Sequence, residues 1–283
     1  MAEFFLDTLG AVSSIITISG ASNGIIPKLK MICNWIINGK LQIIVFGASG
    51  TGKTTLGQVL TGIEHNLEYE QSPKIEHFKL ENNIIGSYVV APAQTWRIER
   101  FWPELYRIIS SGKATGIINI VSNGYHSIGE SINYKQIKYL KNGEPKGNTI
   151  YSNNMTNEKF MEEFTKNRLE REIEIIEEIK HRIKDSKEKL WMITLVTKQD
   201  LWWDKKEEVQ KYYLEGEYNK IIEEIKSAKG AQNFHHEYLS TSLIINNFRI
   251  GTDILKETVK GYDEVIKIHH MNQLINTINP NIS

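Results

Sequence analysis

Three runs along the chain are almost wholly apolar: 41–46 (LQIIVF), 116–121 (GIINIV) and 190–196 (LWMITLV). Each has strand length and is bounded by glycine or polar residues, so each predicts a β-strand. Residues 74–80 and 84–90 read as two adjacent strands, and a short strand is expected near 236–239. Helical patterns fall between them. One covers 54–60, with Gly62 able to cap its end, and another covers 95–109. A closing helix is expected over roughly 252–274. Strands that alternate with helices in this way predict an α/β fold: a mainly parallel sheet with helices on both faces. Ligands of such sheets bind at the carboxyl ends of the strands.

Two stretches do not fit the alternation. Between the strands ending near 121 and starting near 190 lies far more chain than one crossover requires. Its first part, 125–154, is polar and holds a clear turn at Lys141-Asn142-Gly143-Glu144-Pro145. Its second part, 158–189, reads as one long helix. Phe160, Phe164, Ile173, Ile176, Ile179 and Ile183 form the apolar side, and the other faces are densely charged. That pattern fits one core face and one solvated face, or a projection that binds a partner. The other stretch is the first forty residues. Residues 4–21 are apolar and rich in Ser, Thr and Gly, with Asp7 as the only charge. A second helix is expected from Pro27 to Asn38-Gly39, with Leu29, Ile32, Trp35 and Ile36 on one face. Residues 4–21 fit either a helix on a membrane or a helix packed on its own domain. No positive charge precedes the apolar run, which argues against a secretory signal. The expected organisation is an N-terminal helical segment, 1–40, and a domain, 41–283, interrupted by an insertion at about 125–189.

Composition narrows the classes. The 283 residues carry 40% hydrophobic and 24% charged residues, ordinary for a globular protein. The net charge of +0 gives no electrostatic footprint for nucleic acid. The single cysteine, Cys33, allows no intrachain disulfide and fits a reducing cytoplasm. The pairs His235-His236 and His269-His270 lack the partner ligands of a zinc site.

The candidate chemistry begins after the first strand. Gly47-Ala48-Ser49-Gly50-Thr51-Gly52-Lys53-Thr54-Thr55 has the spacing G-x-x-x-x-G-K-[ST]. The strand before it and the helix after it supply the required context. In such a loop the glycines turn backbone N–H groups inward onto phosphate oxygens, and the helix N-terminus adds partial positive charge. Lys53 can reach the β- and γ-phosphates, and the Thr54 hydroxyl can ligand Mg²⁺.

The strand ending at Val196 runs into Thr197-Lys198-Gln199-Asp200-Leu201. Here the chain resembles the Ras-like GTPase superfamily, whose base-reading motif is Asn-Lys-x-Asp. The resemblance implies that Asp200 accepts two N–H bonds from guanine while the stem of Lys198 packs along the base. Adenine lacks that donor pair. Leu239-Ser240-Thr241-Ser242 resembles a weakened form of the family's Ser-Ala-Lys loop, which brings Ser240 and Thr241 to the base. The stretches Arg97 to Trp102, Ala114 to Val121 and Lys198-Gln199-Asp200-Leu201 are similar in wording to the Arf branch. The resemblance covers roughly 41–274 apart from the insertion. It implies a three-layer fold, GTP or GDP with Mg²⁺ as ligands, and hydrolysis at the γ-phosphate.

The departures from that pattern are specific. Thr197 stands where the family has Asn. Tyr88 to Gln94 occupies the place of the strand ending in Asp-x-x-Gly-Gln. There Val90 replaces the Asp that supports Mg²⁺, and Ala93 replaces the Gly whose N–H meets the γ-phosphate. Gln94 matches the Gln that orients water, so Gln94 and Lys53 are the candidate catalytic residues. Ser72, just before Pro73, is the candidate for the switch hydroxyl, which makes Thr54 and Ser72 the candidate metal ligands. Ala2 follows Met1, so the Arf branch's myristoylated Gly is absent. Three functions compete. The first is a guanine-nucleotide switch with slow or partner-dependent hydrolysis. The second is a nucleotide-bound scaffold without hydrolysis, acting through the long helix and the N-terminal helices. The third is an ATP-dependent P-loop protein, against which Thr197 to Asp200 argues. An effector or regulator is expected at the long helix or the N-terminal helices, in the cytoplasm, with a membrane tie through 4–21 as an option.

Overall fold

A computed structural model describes residues 43–61, 76–78, 88–91, 95–111, 114, 116–127, 140–141, 144–145, 157–184, 188–250 and 253–278. The expectations for 1–40, Ser72, Ala93 and Gln94 lie outside the described residues.

A six-stranded sheet forms the centre, in the order β2-β3-β1-β4-β7-β8. Its strands are β1 (Ile43–Gly47), β2 (Glu76–Phe78), β3 (Tyr88–Val90), β4 (Gly116–Val121), β7 (Leu190–Val196) and β8 (Phe234–Ser240). β2 is antiparallel to β3, and the other pairings are parallel. All residues of β1, β4 and β7 are buried. Both sheet faces are covered, which is why these strands read as unbroken apolar runs.

Side-chain alternation assigns each face its helices. Ile44, Phe46, Ile117 and Met192 point into one layer. That layer is filled by α2 (Thr95–Ser110), α3 (Asn157–Ile183), α4 (Lys206–Glu215) and α5 (Glu217–Lys229). Ile43, Val45, Ile118, Ile120, Ile193 and Leu195 point into the other, against α1 (Lys53–Thr61) and α6 (Glu264–Ile278). The result is the expected three-layer α/β fold.

The long helix is the crossover from β4 to β7. Phe160, Phe164, Ile175, Ile176, Ile179 and Ile183 are buried against the chain's own core, while Ile173 is half-buried. The helix ends at Ile183, six residues short of the expected 189. Within the polar stretch before it, β5 (Leu140–Lys141) pairs antiparallel with β6 (Glu144–Pro145). Among the described residues, no helix is long and apolar enough to cross a membrane.

Two regions differ from expectation. The closing helix does not run over 252–274. β9 (Phe248–Ile250) instead pairs antiparallel with β10 (Asp253–Lys256). Gly261 has φ of +90°, which ends any helical path there, and the Asp263 side chain then accepts the Ile266 N–H at 3.0 Å and starts α6. α4 and α5 fill a stretch for which no element was expected. Their signal is the spacing of Tyr218, Ile221, Ile222 and Ile225, all buried.

Candidate functional site

The loop from β1 to α1 leaves the sheet at its carboxyl edge. Gly47 has φ of +140°, and a Cβ there would lie 2.3 Å from the Ile120 carbonyl oxygen. Gly50 has φ of +81°, and its Cβ would lie 2.3 Å from the Ser127 carbonyl oxygen. The backbone of 120 and 127 approaches so closely that neither position has room for a side chain. Thr51 is fully buried and its hydroxyl donates to Ala48 O at 3.0 Å. Lys53, the first residue of α1, is 8% exposed and folds back so that Nζ donates to Ala48 O at 2.7 Å. A buried ammonium over bare backbone at a helix N-terminus fits the phosphate tail of a nucleotide. Thr54 and Thr55 follow in the first turn of α1, half-buried.

The metal side is poorer. Val90, at the end of β3, is 1% exposed and packs with Ile43, Val45 and Leu56 under α1. It offers no oxygen. Among the described residues no group of three or more His, Cys, Asp or Glu could hold a metal ion.

The second half of the site lies at the ends of β7 and β8. The Thr197 hydroxyl is 2.6 Å from Thr51 O and 3.1 Å from Val121 O. Its single proton is shared between the two carbonyls, tying the phosphate loop to the β7 turn. Replacing Thr197 by Val removes this donor without changing shape, and a loss of about 1–2 kcal/mol in denaturant unfolding is expected. An unchanged unfolding midpoint would contradict that role.

Lys198 is in the left-handed region, φ 57°. Its Nζ donates to Tyr125 O and to Ser127 Oγ, the latter at 2.7 Å, and lies 5.7 Å from the Phe248 ring centroid. Burial pulls its pKa down to about 7, against the attraction of Asp200 and Glu172. Asp200 is 1% exposed. Oδ1 accepts the Ser242 hydroxyl, Oδ2 accepts the Asn246 N–H at 3.1 Å, and the Asp200 N–H donates to Ser242 Oγ at 2.8 Å. Burial raises its pKa, and these hydrogen bonds oppose the rise. A carboxylate has about four acceptor positions, so each oxygen keeps a second lone pair.

Thr51, Gly52, Thr197, Lys198 and Asp200 therefore converge on one edge of the sheet. The Ser240 Oγ accepts from Gln199 Nε2 at 2.8 Å. Thr241 is buried and its N–H donates to Val196 O at 3.0 Å. The hydroxyl that reaches Asp200 belongs to Ser242. Loop 122–127, whose start Val121-Ser122-Asn123-Gly124 is the rival place for the Asp-x-x-Gly motif and likewise lacks the Asp, also joins the site. Its Ser127 N–H donates to Gly50 O at 2.9 Å, and its His126 is fully buried against Glu172 of α3.

Burial pulls the His126 pKa from 6.5 down to about 4, against the opposing pull of Glu172, so near neutral pH the ring donates a neutral N–H. The unfolded chain takes up this proton near 6.5, whereas the fold resists until about 4. The stability gained from the neutral ring is complete above 6.5 and is lost as pH falls toward 4, at about 1.4 kcal/mol per pH unit. Burial lowers the pKa of half-buried His236 to about 4 as well, which adds in the same direction. Denaturant midpoints measured at about pH 7, 6 and 5 should fall in that order; a flat series would contradict the neutral, buried His126.

No family model matches the chain, and no curated protein matches it. Solved structures do. The signal recognition particle receptor SRb-GDP from Chaetomium thermophilum is 12% identical with a TM-score of 0.36, covering 73% of this chain and 91% of that one. The small COPII coat GTPase SAR1 from Encephalitozoon cuniculi, in complex with GDP, is 11% identical with a TM-score of 0.36, covering 82% of each chain. The SRb-GTP/SRX complex from Chaetomium thermophilum is 10% identical with a TM-score of 0.31. Scores this low say nothing further about this chain. Its own strand order, with the phosphate loop after β1 and the Thr197 to Asp200 turn two strands away, is the three-layer architecture expected from the resemblance to the Ras-like superfamily.

Proposed function

We propose that the chain is a guanine-nucleotide-binding switch with slow or partner-dependent GTP hydrolysis. The observation that carries this reading is the single hydroxyl of Thr197, which joins the bare phosphate loop to the turn bearing Asp200. Backbone N–H groups of 50–54 and Lys53 would hold the phosphates. Asp200 would accept the two guanine donors on its remaining lone pairs, with Ser242 and Asn246 orienting it. Mg²⁺ bound with the nucleotide would neutralise charge on the β- and γ-phosphates, and Thr54 is the side chain that would hold it. Titration of the full chain with labelled GTP and ATP tests the reading; equal affinity for both would defeat it.

Hydrolysis is expected to be no faster than the slow family baseline, of order 10⁻⁴ per second. Val90 cannot support the ion from β3, and Gln94 cannot replace the missing charge. An arginine supplied by a partner could add roughly 10³–10⁵ in rate. Single-turnover hydrolysis by the isolated chain measures this directly, and rapid turnover would show that the metal side has been misassigned. Val90 also favours a second reading, a nucleotide-bound scaffold without hydrolysis. In either case the charged outer face of α3 and the segment 1–40 are the places for a protein partner, with 4–21 as the route to a membrane.

A further inference from the structure

Glu172 belongs to α3, yet its carboxylate ends on the loop after β4. It is 1% exposed. Oε1 accepts the N–H groups of Ser122 at 2.9 Å and Gly124 at 3.2 Å, and lies 2.8 Å from His126 Nε2. Oε2 accepts the Tyr213 hydroxyl of α4. The loop it holds is unusual: Asn123 has φ of 50° and Gly124 of 77°. A non-glycine residue at positive φ is uncommon, so surrounding contacts impose the shape. A Cβ on Gly124 would lie 2.5 Å from Thr165 O, which places the loop directly against α3. On its other side the loop abuts the phosphate cradle. Ser127 N–H donates to Gly50 O at 2.9 Å, and Lys198 Nζ donates to Tyr125 O and Ser127 Oγ.

One buried carboxylate thus receives four donors from the loop and α4, and the same loop receives the phosphate loop and Lys198. We propose that Glu172 is a positioning residue of the phosphate site. It fixes loop 122–127, and through Ser127 and Gly50 this loop fixes the cradle, so that α3 sets how firmly the phosphates of a nucleotide are held. The proposal rests on the nucleotide-binding reading for its consequence, but its geometric part stands without a ligand. Neutralising Glu172 leaves two backbone donors facing an uncharged group, which loosens the loop. Ile176, fully buried one turn along the same helix in the apolar core, serves as the reference for lost stability alone.

The experiment compares the full-length parent with Glu172→Gln, Tyr213→Phe and Ile176→Val. For each, thermal stability, release of labelled GDP and hydrogen exchange at the backbone amides of 50–53 are measured. Glu172→Gln is expected to release GDP roughly tenfold faster or more, the factor that corresponds to one weakened charge-assisted hydrogen bond, with faster exchange at 50–53. Tyr213→Phe leaves Oε1 and its donors intact but also removes the hydroxyl that accepts the Asn123 N–H at 3.0 Å, and it should fall between Glu172→Gln and the parent. Ile176→Val should lose stability without either change. Release and exchange that follow thermal stability alone, equally in Glu172→Gln and Ile176→Val, would overturn the proposal. A parent that retains no GDP would defeat the nucleotide reading. The exchange data then decide the positioning role, and unaltered protection at 50–53 in Glu172→Gln would overturn it.

Discussion

Lys53→Ala should abolish useful nucleotide binding, lowering GTP affinity by roughly 100-fold or more. Two effects combine. The ammonium is the cradle's own positive charge, 8% exposed and held over bare backbone by its bond to Ala48 O. Its charge-assisted bonds to phosphate are each worth about 1.5–3 kcal/mol in such a setting. Alanine is also a good residue at a helix start, so α1 survives and the loss falls on the ligand rather than on the fold. Titration with labelled GTP, alongside a denaturation curve, separates the two. A variant that bound GTP as tightly as the parent would mean that phosphates are held elsewhere.

Asp200→Asn should cost about 2–4 kcal/mol of GTP affinity through lost charged hydrogen bonds to the base. The local geometry suggests that the fold tolerates the change better than the ligand does. The amide oxygen of Asn can keep the Asn246 N–H, and the amide nitrogen can donate to Ser242 Oγ, because a serine hydroxyl can reverse its role. Guanine cannot reverse its two donors. The expected signature is a large loss of GTP affinity with a stability loss of about 1 kcal/mol. Equal losses in binding and unfolding would instead make Asp200 a structural anchor of the 242–246 turn.

The sequence was most legible where one force dominated. β1, β4 and β7 are buried on both faces, so their apolar runs carry nearly the whole signal. The glycine turn after β1 was legible because steric demands at Gly47 and Gly50 leave glycine as the residue that fits. It was less legible where several residues compete for one role. Ser240, Thr241 and Ser242 are consecutive hydroxyls at a strand end, and the backbone turn that aims Ser242 at Asp200 leaves no trace in residue type. Glu172 is hidden in the same way among the solvated acids of α3, since the donors that surround it come from the loop after β4 and from α4, 41 to 50 residues distant. β10, at the start of the expected closing helix 252–274, was legible as helix because Ile254 and Leu255 fit either period, and short apolar runs are ambiguous on periodicity alone.

The central claim is that this site holds a guanine nucleotide between the Lys53 cradle and Asp200. Its most direct test is mass spectrometry of the nucleotide released on denaturing freshly purified full-length protein. GDP, or GDP with GTP, is expected near one equivalent per chain, reduced sharply by Lys53→Ala. Release of adenine nucleotide in that amount would contradict it.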